Sequence, residues 1–79
     1  MSPTVFRDGP FRAFFFSREE SRIHVHVQST NGEAKFWIEP HVELAENHGI
    51  PVPELGRIQE LVEKREHEIR EAWHRHFSR

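Results

Sequence analysis

Between Ile23 and Glu39 apolar and polar residues alternate with a period of two. Ile23, Val25, Val27, Ala34, Phe36 and Ile38 fall on one side, and His24, His26, Gln28, Lys35, Trp37 and Glu39 on the other. That period marks strands with one buried face. Asn31-Gly32 interrupts the pattern at its centre, and the pair suits a two-residue type I′ hairpin turn because both residues tolerate positive φ. Such a turn pairs Thr30 with Glu33, sets His26 opposite Trp37 and His24 opposite Glu39, and brings Val25 against Ile38 and Val27 against Phe36. A slip of one residue would exchange the two faces and bury the polar set.

Upstream, Thr4-Val5-Phe6 and Phe11-Arg12-Ala13-Phe14-Phe15-Phe16 flank Asp8-Gly9, which predicts a second hairpin. Pro10 then sits at the first residue of the second strand or beside a bulge, since it cannot donate to a ladder. The three consecutive phenylalanines put apolar groups on both faces, as an interior strand requires. Ser17 to Arg22 is polar and reads as a surface connection. After Pro40, the stretch Val42 to Gly49 predicts a short helical turn closed by the glycine. From Pro53 the period becomes helical: Leu55, Ile58, Leu61, Val62, Ile69, Ala72, Trp73 and Phe77 form one stripe, interrupted at Arg65.

These elements predict an α+β fold in one domain spanning 1–79. Residues 1–39 form a four-stranded antiparallel meander, 40–52 a connection with a short helical turn, and 53–78 a long C-terminal helix packed on one face. A straight helix of that length outruns an ordinary strand. Its end, bearing Trp73 and Phe77, is expected either to bend over the sheet or to meet a partner, and a homodimer through this helix follows from the second option.

Composition narrows the field. Seventy-nine residues suffice for one core. Eleven Lys and Arg against 13 Asp and Glu leave a formal charge of −2, without the basic excess of a strong nonspecific nucleic-acid binder. The absence of cysteine removes disulfides, thiolate nucleophiles and cysteine-bound metals. No apolar run nears the roughly 20 residues that span a bilayer, and the chain opens on no basic-then-apolar leader. A cytoplasmic protein that does not enter the membrane is expected.

Candidate chemistry centres on His24-Val25-His26. Residues i and i+2 of a strand point the same way, so the two imidazoles converge on one side. With Lys35 they supply the parts of metal-independent RNA cleavage: His24 and His26 as acid and base, Lys35 to steady phosphate charge. Trp37 would stack an unpaired base, and Gln28 lies on the same substrate-binding face. The competing reading is that these residues populate an ordinary polar sheet face, with Trp37 covering it and Lys35 solvated. A metal alternative uses His24, His26 and Glu39 as ligands. Otherwise no cofactor is implied. His67-Glu68-x-x-Glu71 lacks the second histidine of a zinc-protease motif, and no phosphate-binding glycine loop or nucleophile elbow occurs.

The order Thr4-Val5-Phe6-Arg7, then His24-Val25-His26-Val27, Ala34-Lys35-Phe36-Trp37, Glu43-Leu44 with Asn47 and Gly49, Glu54-Leu55, and Trp73 with Phe77 resembles the small prokaryotic family called domain of unknown function 4160. Arg22-Ile23 stands where that family commonly carries two prolines. The resemblance implies no particular reaction. It implies a toxin–antitoxin-type setting with a small protein encoded nearby as the partner; RNA as a partner is the expectation from His24, His26, Lys35 and Trp37. A noncatalytic interaction module is the alternative to a ribonuclease.

Overall fold

A computed structural model of the chain describes residues 4–16 and 22–77. Five strands, β1 (Thr4–Asp8), β2 (Phe11–Phe14), β3 (His24–Gln28), β4 (Glu33–Trp37) and β5 (Glu43–His48), precede two helices, α1 (Val52–Lys64) and α2 (Glu66–Phe77). The strands form an antiparallel meander in the order β1-β2-β3-β4-β5. The expected α+β architecture is present, with one strand more than the sequence predicts and the helix in two pieces. The expected connection at 17–21 and the helix position at Ser78 lie outside the described residues.

The apolar face is the one the alternation marks. Val25, Val27, Ala34, Phe36 and Ile38 are buried in one cluster with Ile58 and Val62 of α1 and Ile69 and Trp73 of α2. Burying a side chain of this size contributes about 1.5 to 3 kcal/mol, and these positions form the single core. In β1 and β2, Asp8 pairs with Phe11, so Gly9 and Pro10 are the two turn residues. Gly9 takes φ 57°, the positive value a tight hairpin needs at its first central position, and Pro10 forfeits no ladder bond there.

The central hairpin departs from the type I′ register by two residues. His24 pairs with Trp37, Val25 with Phe36, His26 with Lys35 and Val27 with Ala34. An even shift keeps every side chain on its predicted face but removes Glu39 from His24. The turn is a four-residue loop, with the Ser29 N–H donating to the Gly32 carbonyl at 2.8 Å. The Ser29 hydroxyl and the Asn31 amide both donate to Glu54 Oε1 at 3.1 Å, which ties the loop to the first turn of α1. Gly32 has no positive φ. It is glycine because a Cβ there would collide with the His48 carbonyl oxygen. Contacts from β5 and α1 therefore override the local turn preference.

The predicted helical turn at Val42–Gly49 is instead β5, paired to β4 through Glu33–His48, Lys35–Glu46, Phe36–Leu44 and Trp37–Glu43, with a bulge between Lys35 and Phe36. Glu, Leu and Ala favour helix only weakly. Without β5, the buried strand β4 would expose a row of unpaired backbone groups. Asn47 and Gly49, read as a helix end, form the exit turn: Asn47 accepts from the Ile50 N–H at 3.0 Å and donates to the Ile50 carbonyl at 2.9 Å.

The helix breaks where its stripe is interrupted. Arg65, at φ −105° and ψ 21°, lays its guanidinium over the Phe6 ring at 4.4 Å and reaches Asp8 and Glu68 at 3.4 Å. Beyond it, Trp73 of α2 packs on Phe15, with ring centroids 5.3 Å apart. Trp73 is 6% exposed and Phe77 half-buried, so among the described residues the apolar end of the helix packs within the chain.

Candidate functional site

On the sheet face opposite the helices, cross-strand pairing lines up two rows. Phe14, His26, Lys35 and Glu46 make one, and His24, Trp37 and Glu43 the next. The alternation of β3 and β4 therefore does gather His24, His26, Lys35 and Trp37 as the sequence predicts. Gln28 closes β3, exposed and paired with Arg12 and Glu33.

The two imidazoles are not open to solvent. His24 is 2% and His26 8% exposed. His24 meets His26 at 5.2 Å, Trp37 at 5.6 Å and Trp73 at 5.3 Å between ring centroids. His26 stacks on Phe14 at 5.4 Å and takes Phe16 against its edge at 4.3 Å. A carbonyl oxygen only accepts, so the 2.9 Å contact from His24 Nδ1 to the Arg22 carbonyl places a proton on Nδ1. His26 Nδ1 lies 3.6 Å from Glu33 Oε2, beyond hydrogen-bond length. Acid–base catalysis needs a ring nitrogen within reach of substrate; His26 Nδ1 lies on the side of the half-exposed Glu33, while His24 is ringed by His26, Trp37 and Trp73.

What the face presents outward is Trp37 with cations on it. The Arg22 guanidinium lies 4.3 Å and the Lys35 ammonium 4.4 Å from the Trp37 ring centroid. Arg12 covers Phe14 at 4.6 Å, and Phe16 remains 42% exposed. Each cation–π contact of this kind contributes about 0.5 to 1 kcal/mol where exposed. Carboxylates interleave: Glu33, Glu43 and Glu46 sit on the same face through their pairing with Gln28, Trp37 and Lys35. Glu46 accepts from His48 Nε2 at 3.0 Å. That hydrogen bond is the main cause holding the Glu46 carboxyl below its ordinary pKa; partial desolvation opposes it, and the charges of Lys35, His48 and His26 add to the lowering in that order.

Glu39, the third ligand of the metal alternative, is engaged elsewhere. Its Oε2 accepts from Arg70 Nη1 at 2.9 Å, on α2, and Trp37 occupies the place opposite His24. Arg70 also holds Glu66 at 2.8 Å and the Ile38 carbonyl at 3.0 Å. The Glu66 hydrogen bond, followed by its charge and by Glu39, raises the Arg70 pKa. Among the described residues no group of three or more His, Asp or Glu is arranged to hold a metal ion, so the set His24, His26 and Glu39 is dissolved by the register shift. No helix among the described residues is long and apolar enough to cross a membrane.

Sequence reasoning missed Phe14, Phe16, Arg22 and Trp73 as neighbours of the histidines. The first two carried a signal, because i, i+2 alternation places Phe14 and Phe16 on one side of the extended segment that begins as β2 and runs beside β3. Trp73 carried none, since no local pattern says which residue of α2 lies beside His24. Comparison with protein families matches residues 11–74 to the family described as Domain of unknown function (DUF4160). No curated protein and no solved structure matches the chain.

Proposed function

We propose that this chain, which belongs to the DUF4160 family, is a noncatalytic partner-binding domain whose contact surface is the sheet face around Trp37. The observation that carries this reading is the Trp37 indole held between the Arg22 and Lys35 cations at 4.3 and 4.4 Å, with Phe16 exposed nearby. Trp and Arg dominate the energy of protein interfaces, where a rigid ring and a planar cation lose little freedom on contact. The side chains around Trp37 are ordered by their own packing, which lowers the ordering cost of association.

The partner is a protein rather than RNA, because Glu33, Glu43 and Glu46 lie among the cations and repel a phosphate backbone, whereas mixed charges suit a protein rim. The small protein of a toxin–antitoxin-type pair, which the resemblance implies, is the first candidate. In calorimetric titration with the protein encoded beside it, Trp37→Ala is expected to lower affinity roughly a hundredfold and Arg22→Ala roughly tenfold, in the range of interface anchors. Single-stranded RNA is expected to remain intact. Cleavage of RNA that disappears in His26→Gln would overturn the reading in favour of the acid–base site at His24, His26 and Lys35. Uncleaved RNA bound tightly through Trp37 would replace the protein partner with a nucleic acid.

A further inference from the structure

On the helix side of the sheet, β1 and the last turns of α2 border a cavity of about 310 Å³ lined by Thr4, Val5, Phe15, Ala72, Arg75 and His76. We propose that it binds a small aromatic carboxylate. Val5 and Ala72 pack against the core cluster to which Phe15 belongs, so the floor is apolar and fixed. The His76 ring lies near-parallel to Phe15, 6.3 Å away at 28°, and Phe77 holds it from the side at 4.4 Å. The space is an open depression rather than a closed cavity, and its volume admits a ring with a short acidic tail. It stands at the lower end of the range for ligand sites, about 300 Å³.

The anion is specified by Arg75. Arg65 and Arg70 are spent on carboxylates of this chain at 3.4 Å and at 2.8 to 2.9 Å. Arg75 has no hydrogen bond or ion pair among the described residues, and neither does His76. A guanidinium beside the apolar side of a cavity that also carries Thr4 and His76 matches the bidentate geometry of a carboxylate. The C-terminal end of α2 carries partial negative charge, so an anion there is held by these side chains and not by the helix backbone. That dipole explains a cation in the last turn but not the apolar space beside it.

Phenylacetate titrated into the full chain and followed by nuclear magnetic resonance is the test. Saturable shifts are expected at the Val5 and Ala72 methyls and the His76 ring. Binding should weaken roughly tenfold or more in Arg75→Gln, the loss expected for a charged hydrogen bond, and equally for uncharged phenylethanol on the native chain. Ala72→Leu, which fills the cavity from a half-buried position, should abolish the shifts while the remaining spectrum stays native. Trp37→Ala should leave the titration unchanged, which separates this site from the face proposed above. Shifts that never saturate, or an Arg75→Gln chain that binds phenylacetate as well as the native one, would overturn the proposal.

Discussion

The two faces of the sheet bury comparable rings by different means. On the covered face, Val25, Val27, Ala34 and Phe36 are at most 1% exposed because two helices lie over them. On the other face His24 and His26 are buried mainly by rings of the sheet and its continuation, Phe14, Phe16 and Trp37, with Trp73 of α2 also against His24. The first kind of burial is apolar throughout and supplies stability. The second keeps polar nitrogens inside an aromatic cluster and leaves a surface of rings and cations. Two histidines on one strand are thus an insufficient sign of catalysis, since the same alternation that gathers them also gathers the rings that enclose them.

The largest contrast is expected between adjacent residues of β4. Phe36→Ala removes a fully buried ring beneath the helices and should cost about 3 to 5 kcal/mol, read as a lowered urea midpoint. Trp37→Ala, one position on and facing the other way, loses two exposed cation–π contacts and part of one packing surface, and should cost about 1 to 2 kcal/mol. Equal losses would erase the distinction between the faces.

A smaller effect sharpens what encloses His24. If ring packing dominates, His24→Ala should cost about 2 kcal/mol, while His24→Phe, which keeps a ring but leaves the Arg22 carbonyl without its donor, should cost about 1 kcal/mol. Thermal unfolding of the two variants decides between them. A phenylalanine as damaging as the alanine would assign the stability to the hydrogen bond instead.

The faces were legible because a period of two survives any even change of register, so His24, His26, Lys35 and Trp37 could be grouped without knowing the turn. The register was not. Asn31-Gly32 is locally a two-residue turn, and only Glu54 from α1 and the His48 carbonyl from β5 make Ser29–Gly32 a longer loop. For the same reason Glu39 was placed beside His24 when Arg70 claims it. Strand β5 was illegible because Glu43-Leu44-Ala45-Glu46 has helix-compatible residues, and the need to complete the ladder of β4 exists only once the sheet is assembled. Arg65 could be seen as a break in the stripe, yet the contact of Trp73 with His24 requires three-dimensional placement.

The smallest expected effect concerns charge on the face away from the helices. Glu46 is exposed, and its carboxyl is held below the ordinary range chiefly by the His48 hydrogen bond, with a lesser lowering from Lys35. A lowered pKa means that the folded state binds this proton less readily than the unfolded chain does. The contribution is therefore present above the ordinary carboxylate pKa and is lost as pH falls through the lowered value. On the helix side the sign is opposite for Arg70, whose raised pKa makes its own proton a source of stability that fades only as pH rises through that value. Glu46→Gln should accordingly lower the melting temperature slightly near neutrality and converge with the native chain in acid. A difference between the two that persisted unchanged into acid would show that Glu46 acts through its shape in the β4–β5 ladder rather than through its charge.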